Sequence, residues 1–422
     1  MLRKIMAFTL ITFLLVGCST SETNNSDSKT EEQITLNVLM EEVPDTDIAI
    51  EMVKSFNQEN ENIVLNIETL PYDQMRDKLV SSFLAPEAAY DIIVVDNPWM
   101  YDFSNAGYLE PLDDKIETSG SDYDFSDFSD SLEDIAIVND QKFAIPFYNY
   151  ATGLVYRKDV FEEQGISIPT TLKELCTVAQ TLTTDEAYGI AAQPQKGYKI
   201  MEEWMNWLLA AGGALQNDNG DIILDSPEAR EALKAYIDTI NSSAPKNSTN
   251  WAFDEALRSV ASGDSMMTLN YNWMLPTLNN PDGEAGSLAG NFALAEVPGG
   301  QAALGAWFWA ISSNSEYKDE AWTFIEWISS PEQEKSRVIS GGAPVRDSIL
   351  DDPEVWEQGY GEEYYVTLKN ILADAIPLAN GPNAEELIQV VGTELNAAVT
   401  GQKTVDEAIT DASNLAKEIM NE

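Results

Sequence analysis

Residues 90–96 read YDIIVVD. Ile92 to Val95 form an apolar run with no polar alternation, which reads as a strand buried on both faces. Upstream, ITLNVLM (34–40) and IVLNIETL (63–70) are strand-like as well. After the first of them, Ala49, Met52, Val53 and Phe56 share one helix face, with Asp45 or Thr46 placed to cap it. YDQMRDKLVSSFLA (72–85) predicts a second amphipathic helix. Strand–helix–strand–helix–strand implies an α/β layer with a largely parallel sheet.

Further on, Lys142–Tyr148 and Gly153–Asp159 read as two strands around a polar junction, Asn149–Thr152, where the chain could pass into a second lobe. A length of 422 residues suits two or three folding units. Helical patterns dominate from Leu172 to Ile240, and Trp204, Trp207, Leu208 and Ala211 share a face, which assigns those tryptophans to a core. Cys176 lies on such a face with Leu172, Leu175 and Ala179 and reads as a small apolar residue, not a nucleophile. SGDSMMTLNYNWM (262–274) and NFALAEVP (291–298) each contain a short strand. GAWFWA (305–310) is another, followed by a helix from Asp319 to Ser329 and, after SGGAPVR (340–346), a final helical third. The acidic, aromatic segment 121–134, SDYDFSDFSDSLED, lacks the glycine-centred spacing of a calcium loop and reads as a solvated loop.

Composition narrows the function. The 71 acidic residues against 24 basic ones give a net charge of −47. A field this negative repels nucleic acid and anionic lipid, and favours a neutral or cationic ligand. It also suits a saline or alkaline exterior, in which case salt should stabilise the protein. With no histidine and two cysteines, zinc hydrolases and Ser–His or Cys–His nucleophile systems are excluded in their usual forms, and no disulfide framework follows. No cofactor or metal is expected. Residues 1–17 combine Arg3 and Lys4 with a short apolar run, as a signal peptide does. The run ends in Leu15-Val16-Gly17-Cys18, which resembles a bacterial lipobox and makes Cys18 the lipidated residue. The polar stretch to Gln33 then reads as a tether that holds the protein on the outer face of the membrane.

The ordered set YDIIVVDNPWMYDFSNAGYLEPLDD (90–114), KFAIPFYNYATGLVYRKDVFEEQGI (142–166), SGDSMMTLNYNWM, GAWFWAISSNSEYKDEAWTFIEWISS and GGAPVRDSIL resembles the extracellular solute-binding lipoproteins of ATP-driven importers, in the sugar, oligosaccharide and polyol group of maltose-binding-protein-like chains. The resemblance spans nearly the whole mature chain. It implies a two-lobed periplasmic-binding-protein-like α/β fold, with a ligand cleft between lobes and multiple crossover strands. It places lobe one at 34–147 plus 308–342 and lobe two at 148–307 plus 343–422, with crossovers near Tyr148, Trp307 and Gly341. It implies a monomer that binds without chemistry and delivers its ligand to membrane permease subunits.

A sugar presents C–H faces that lie on aromatic rings and hydroxyl edges that need fixed donors and acceptors. Residues just beyond the carboxyl ends of parallel strands are placed to supply both. After the first strand, Glu42 is the candidate from the Glu41–Glu42 pair. After the third stand Asp96, Asn97 and Trp99, although Asp96 and Asn97 could simply cap a helix. Tyr148, Asn149 and Tyr150 lie at the first crossover. Asn272 and Trp273 follow a strand, and Arg346 follows the last crossover. Strand alternation sends Trp307 and Trp309 to one side and Phe308 to the other. The resemblance puts Trp307 on the ligand and Phe308 in the core, and leaves Trp309 open. Where some relatives carry an acid, this chain has Tyr150, so no particular sugar preference transfers. A polyamine or iron as cargo of the same fold, and a secreted glycosidase, are the alternatives.

Overall fold

The computed structural model describes residues 33–85, 87–217 and 219–420, so the expected signal peptide, Cys18 and nearly all of the expected tether lie outside the described residues. β1 (Ile34–Glu41), α1 (Pro44–Glu59), β2 (Ile63–Leu70), α2 (Tyr72–Phe83), β3 (Ile92–Asp96) and α3 (Asn97–Asn105) follow in order. β1 pairs in parallel with β2 along its whole length and with β3 through Val38 and Leu39. Every β3 residue is buried, as the unbroken apolar run requires. α1 begins earlier than its capping residues suggested. Val43 is the N-cap and Pro44 opens the first turn, where a missing N–H costs nothing. Asp45 and Thr46 therefore lie inside the helix and are buried.

The expected break at Asn149–Thr152 does not occur. β4 (Ile145–Arg157) is one strand of 13 residues. Three further strands of its sheet are β5 (Met267–Tyr271), β6 (Phe292–Ala295) and β7 (Ala303–Ile311). Partners on both sides hold β4 extended: residues Ile145 to Ala151 pair antiparallel with β7, and Thr152 to Tyr156 with β5. The sheet order is β2-β1-β3-β7-β4-β5, with β6 beside β4 and a short β8 (Ile376–Pro377) beside β7. β7 is the strand that joins the parallel group to the rest. Its Trp307–Ile311 half runs against β3, and its Leu304–Trp309 stretch runs against β4.

The sheet carries one lobe at each end. The first holds β1–β3 with α1 to α3 and the later helices Lys318–Ile328 and Pro331–Ile339. The second holds β5 and β6 under a helical layer that includes Tyr198–Ala210, Pro227–Ser243 and Ala384–Val399. Trp204 and Trp207 are fully buried in that layer. Cys176 is half-buried there, its sulfur 3.4 Å from the Thr239 hydroxyl, and burial pushes its thiol pKa up.

The same layer contains a fully buried carboxyl, Glu203, which accepts from the Gln193 N–H and the Tyr236 hydroxyl. Burial pushes its pKa up to about 7 in spite of those bonds. The folded chain then holds a proton that the unfolded chain releases near the ordinary glutamate value. This group's contribution is full at acid pH and is lost as pH rises through about 7. The loss amounts to roughly 3 kcal/mol. Glu203→Gln should therefore flatten the pH dependence of stability between about pH 5 and 8, which denaturant titrations of both proteins would show.

Candidate functional site

The carboxyl ends of β1, β2 and β3 converge where β7 crosses into the second lobe, and a small chamber lies at that point. It offers about 40 Å³ of room for water centres. Its first-lobe wall carries Glu41, the last residue of β1; Tyr72, the first residue of α2; and Asp96, the last residue of β3. Its floor is the pair of crossing strands, with Tyr150 from β4 and Gly305 and Trp307 from β7. Tyr198, Lys199, Glu202, Tyr271 and Trp273 face them from the second lobe. A side chain at Gly305 would put its Cβ 3.1 Å from the Tyr271 hydroxyl, so glycine lets that ring approach the floor.

Aromatic rings make most of the surface. Trp307 lies nearly parallel to Tyr148 with centroids 5.8 Å apart, and edge-on to Trp99 at 5.4 Å and Tyr72 at 5.9 Å. Tyr150 lies against Tyr148, and Tyr72 against Tyr198, each at 4.7 Å. Among these rings the carboxyls are fixed by tyrosine hydroxyls. Tyr148 donates to Glu41 at 3.1 Å. Tyr72 and Tyr198 lie 3.0 and 3.2 Å from Asp96 Oδ2. Lys199 pairs with Glu202 at 3.2 Å, and its ammonium sits over the rings of Phe253, Tyr72 and Tyr198 at 4.7 to 5.3 Å.

Burial dominates the electrostatics. It raises Glu41 to about 7, although Lys199 and the Tyr148 bond pull the other way. It raises Asp96 well above the ordinary aspartate value, and Glu385 and Glu41 push in the same direction. Glu202 is also raised by burial, against the pull of Lys199. Burial alone would lower Lys199, but Glu202 and Glu41 outweigh it and its pKa goes up. The chamber is thus an aromatic space with preset acceptors and one ammonium already committed to a carboxylate.

The structure brings Asp96, Tyr150, Trp273 and Trp307 together on the chamber, with Tyr148 and Trp99 directly behind Trp307. Other expected site residues lie elsewhere. β1 runs to Glu41, so the buried acid is Glu41, and Glu42 is exposed. Asn97 accepts the Ala306 N–H through its amide oxygen at 3.2 Å and ties α3 to the crossing strand. Asn272 accepts from the Ala151 N–H and donates to Tyr364, which closes the β4–β5 junction. Asn149 is buried outside the chamber lining. Trp309 packs on Phe147 and Phe324 in the first-lobe core, one strand repeat beyond the chamber. Arg346 is fully buried far from the chamber, and its guanidinium donates to the carbonyls of Tyr123, Asp124 and Ser329. The acidic segment 121–134 is therefore not a plain loop: it forms two 3-10 turns and a short helix, and two of its carbonyls hold Arg346.

Tyr72, Tyr198, Lys199, Glu202 and Tyr271 were not expected. Tyr72 had a signal, because it follows Pro71 directly after the carboxyl end of β2. A larger cavity of about 870 Å³ opens between the loop 214–222, residues 376–382 and the chain near Met420. Among the described residues its lining has no aromatic ring, so it offers a sugar no stacking surface there.

The pattern of a family described as bacterial extracellular solute-binding protein matches residues 41–335. An erythritol/L-threitol-binding protein of Mycolicibacterium smegmatis is 24% identical over 344 residues, 75% of this chain and 71% of that one. A probable amino-acid ABC transporter periplasmic-binding protein of Sinorhizobium fredii is 22% identical over 85% of this chain and 83% of that one. The crystal structure of an ABC transporter solute-binding protein of Agrobacterium radiobacter in complex with ribitol superposes with a TM-score of 0.84. It is 24% identical, and the match covers 92% of this chain and 99% of that one.

Proposed function

Because the chain belongs to the bacterial extracellular solute-binding protein family, we propose that it captures one small sugar or polyol in the chamber and delivers it to a membrane permease. The observation that carries this reading is the floor of Trp307 and Tyr150 ringed by Glu41 and Asp96, whose acceptors are held in place by tyrosines. Rings take the C–H faces of a polyol, and carboxyls take its hydroxyls. The small chamber favours a single sugar or polyol over an oligosaccharide. An α-amino acid fits less well, since its carboxylate needs a cation and Lys199 is held by Glu202. A polyamine is the second reading, supported by three carboxyl groups against one ammonium in the lining. Among the described residues no group of three His, Cys, Asp or Glu side chains is placed to hold a metal.

On this reading the lobes are 34–147 plus 308–342 and 148–307 plus 343–422. The protein acts as a monomer, without turnover of its ligand, anchored outside the cell through a lipid on Cys18. Among the described residues no helix is long and apolar enough to cross a membrane. A thermal-shift panel of polyols, monosaccharides, oligosaccharides, amino acids and spermidine tests the ligand class. A rise in Tm with a tetritol, pentitol, hexitol or hexose is expected. A rise with amino acids or spermidine alone would overturn the choice of ligand, and hydrolysis of labelled oligosaccharides would overturn binding without chemistry.

A further inference from the structure

Glu385 lies outside the chamber lining, on the second-lobe helix Ala384–Val399. Its carboxyl reaches across to the first lobe. Glu385 Oε2 is 2.9 Å from the Tyr72 hydroxyl and 3.1 Å from the Trp99 indole nitrogen, and Oε1 accepts from Gln389 at 2.9 Å. The Tyr72 hydroxyl is also 3.0 Å from Asp96 Oδ2. A neutral phenol has one hydrogen and can serve only one of two acceptors. The second contact needs a hydrogen from a carboxyl. Glu385 receives the Trp99 and Gln389 N–H groups, and Asp96 likewise receives the Asn97 N–H and the Tyr198 hydroxyl, so the geometry requires one shared proton. Burial beside Glu385 and Glu41 puts that proton on Asp96, which donates to Tyr72 while Tyr72 donates to Glu385.

We propose that Glu385 is the positioning residue that latches the two lobes closed over the chamber, through a chain Glu385–Tyr72–Asp96 that holds one proton. The inference rests on the function proposed above. Other charged groups face the chain from every side: Glu41 from β1, Asp73, Arg76 and Asp77 from α2, Lys199 and Glu202 from the second-lobe helix Tyr198–Ala210, and Glu386 beside Glu385. The only cations in this set are Arg76 and Lys199, so an unprotonated chain would leave excess negative charge between the lobes. Burial, Glu385 and Glu41 each favour the protonated form of Asp96. A cavity of about 460 Å³ on the far side of Tyr72 gives the chain a path to solvent for proton exchange. The closed form thus binds a proton that separated lobes release, and closure weakens as pH rises.

The test uses the chain from residue 19, which retains every described element. Small-angle scattering at about pH 5.5 and about pH 8.5 should show the parent more compact at the lower pH. Glu385→Gln can donate from its amide to Tyr72 and free the Tyr72 hydrogen for an ionised Asp96. It should be compact at both values, and the slope of log Kd for ribitol against pH should drop by about one. Glu385→Ala should be the more open protein at both. The same pH response in parent and Glu385→Gln, or a Glu385→Ala as compact as the parent, would overturn the latch. Failure of every sugar and polyol to raise Tm would overturn the proposed function instead, because the scattering arm needs no ligand.

Discussion

Trp307→Ala is expected to weaken sugar or polyol binding by about 2 to 3 kcal/mol, roughly 30- to 150-fold in Kd. The ring is the centre of the floor. It is buried by Tyr72, Trp99 and Tyr148 on its other sides and forms part of the chamber wall. Truncation removes the platform for a C–H face and also frees its neighbours to collapse into the site. Trp309→Ala supplies the control. That side chain is as large, on the same strand and on the same side, yet it packs on Phe147 and Phe324 in the core. It should cost about 3 to 5 kcal/mol of stability and little affinity in the protein that remains folded. Calorimetry of both variants beside their Tm values separates the two outcomes. Equal affinity losses would mean that the floor is not where the ligand lies.

The contrast shows how far the sequence could be read. The fold was legible because β3 is an unbroken apolar run and β1 and β2 are rich in apolar and β-branched residues, separated by helices with apolar faces, and local pattern dictates such elements. The parity of GAWFWA was legible too, since alternation alone puts Trp307 and Trp309 on one side. Alternation could not say that one repeat along the strand carries Trp309 out of the chamber and into the core. The Glu41–Glu42 choice failed for a related reason. One residue of strand length decides which carboxyl points inward. Arg346 failed because its hydrogen bonds go to the backbone carbonyls of Tyr123, Asp124 and Ser329, which no side-chain pattern marks, although Asp127 also pairs with it at 3.6 Å. Lys199, Glu202 and Glu385 were silent because the chain reaches the chamber through helix starts far apart in sequence, and only tertiary packing brings them to Tyr72.

Breaking the ion network around Arg337 should cost as much stability as emptying the core at Trp309. Arg337, Asp45 and Glu334 are each almost wholly buried. Arg337 bonds Asp45, and donates to Glu334 at 2.6 Å and to the Ala343 carbonyl at 2.7 Å. Asp45 in turn accepts from the Ala343 N–H at 3.1 Å and the Tyr150 hydroxyl at 2.8 Å, and Glu334 accepts from the Val345 N–H at 2.9 Å. Gly342 passes so close that a Cβ there would lie 2.7 Å from the guanidinium. One arginine fork thus fixes the segment 342–345 to the first lobe. Arg337→Met fills similar volume but leaves two carboxylates buried without a cation, which costs about 3 to 5 kcal/mol. The sign of the pH effect follows. Burial already raises Asp45, and Arg337 is the largest influence opposing it. Without Arg337 the folded-state pKa rises further above the unfolded value, so the variant loses stability as pH rises and regains it as its carboxyls protonate. Denaturant titrations at about pH 5 and about pH 8 should show the gap to the parent widest at the higher value; an equal gap at both would mean that lost packing, not orphaned charge, sets the cost. Tyr150 joins this network to the chamber floor, so at the higher pH the same variant should also bind its ligand more weakly, because the ring that faces the ligand is positioned by the Asp45 it bonds.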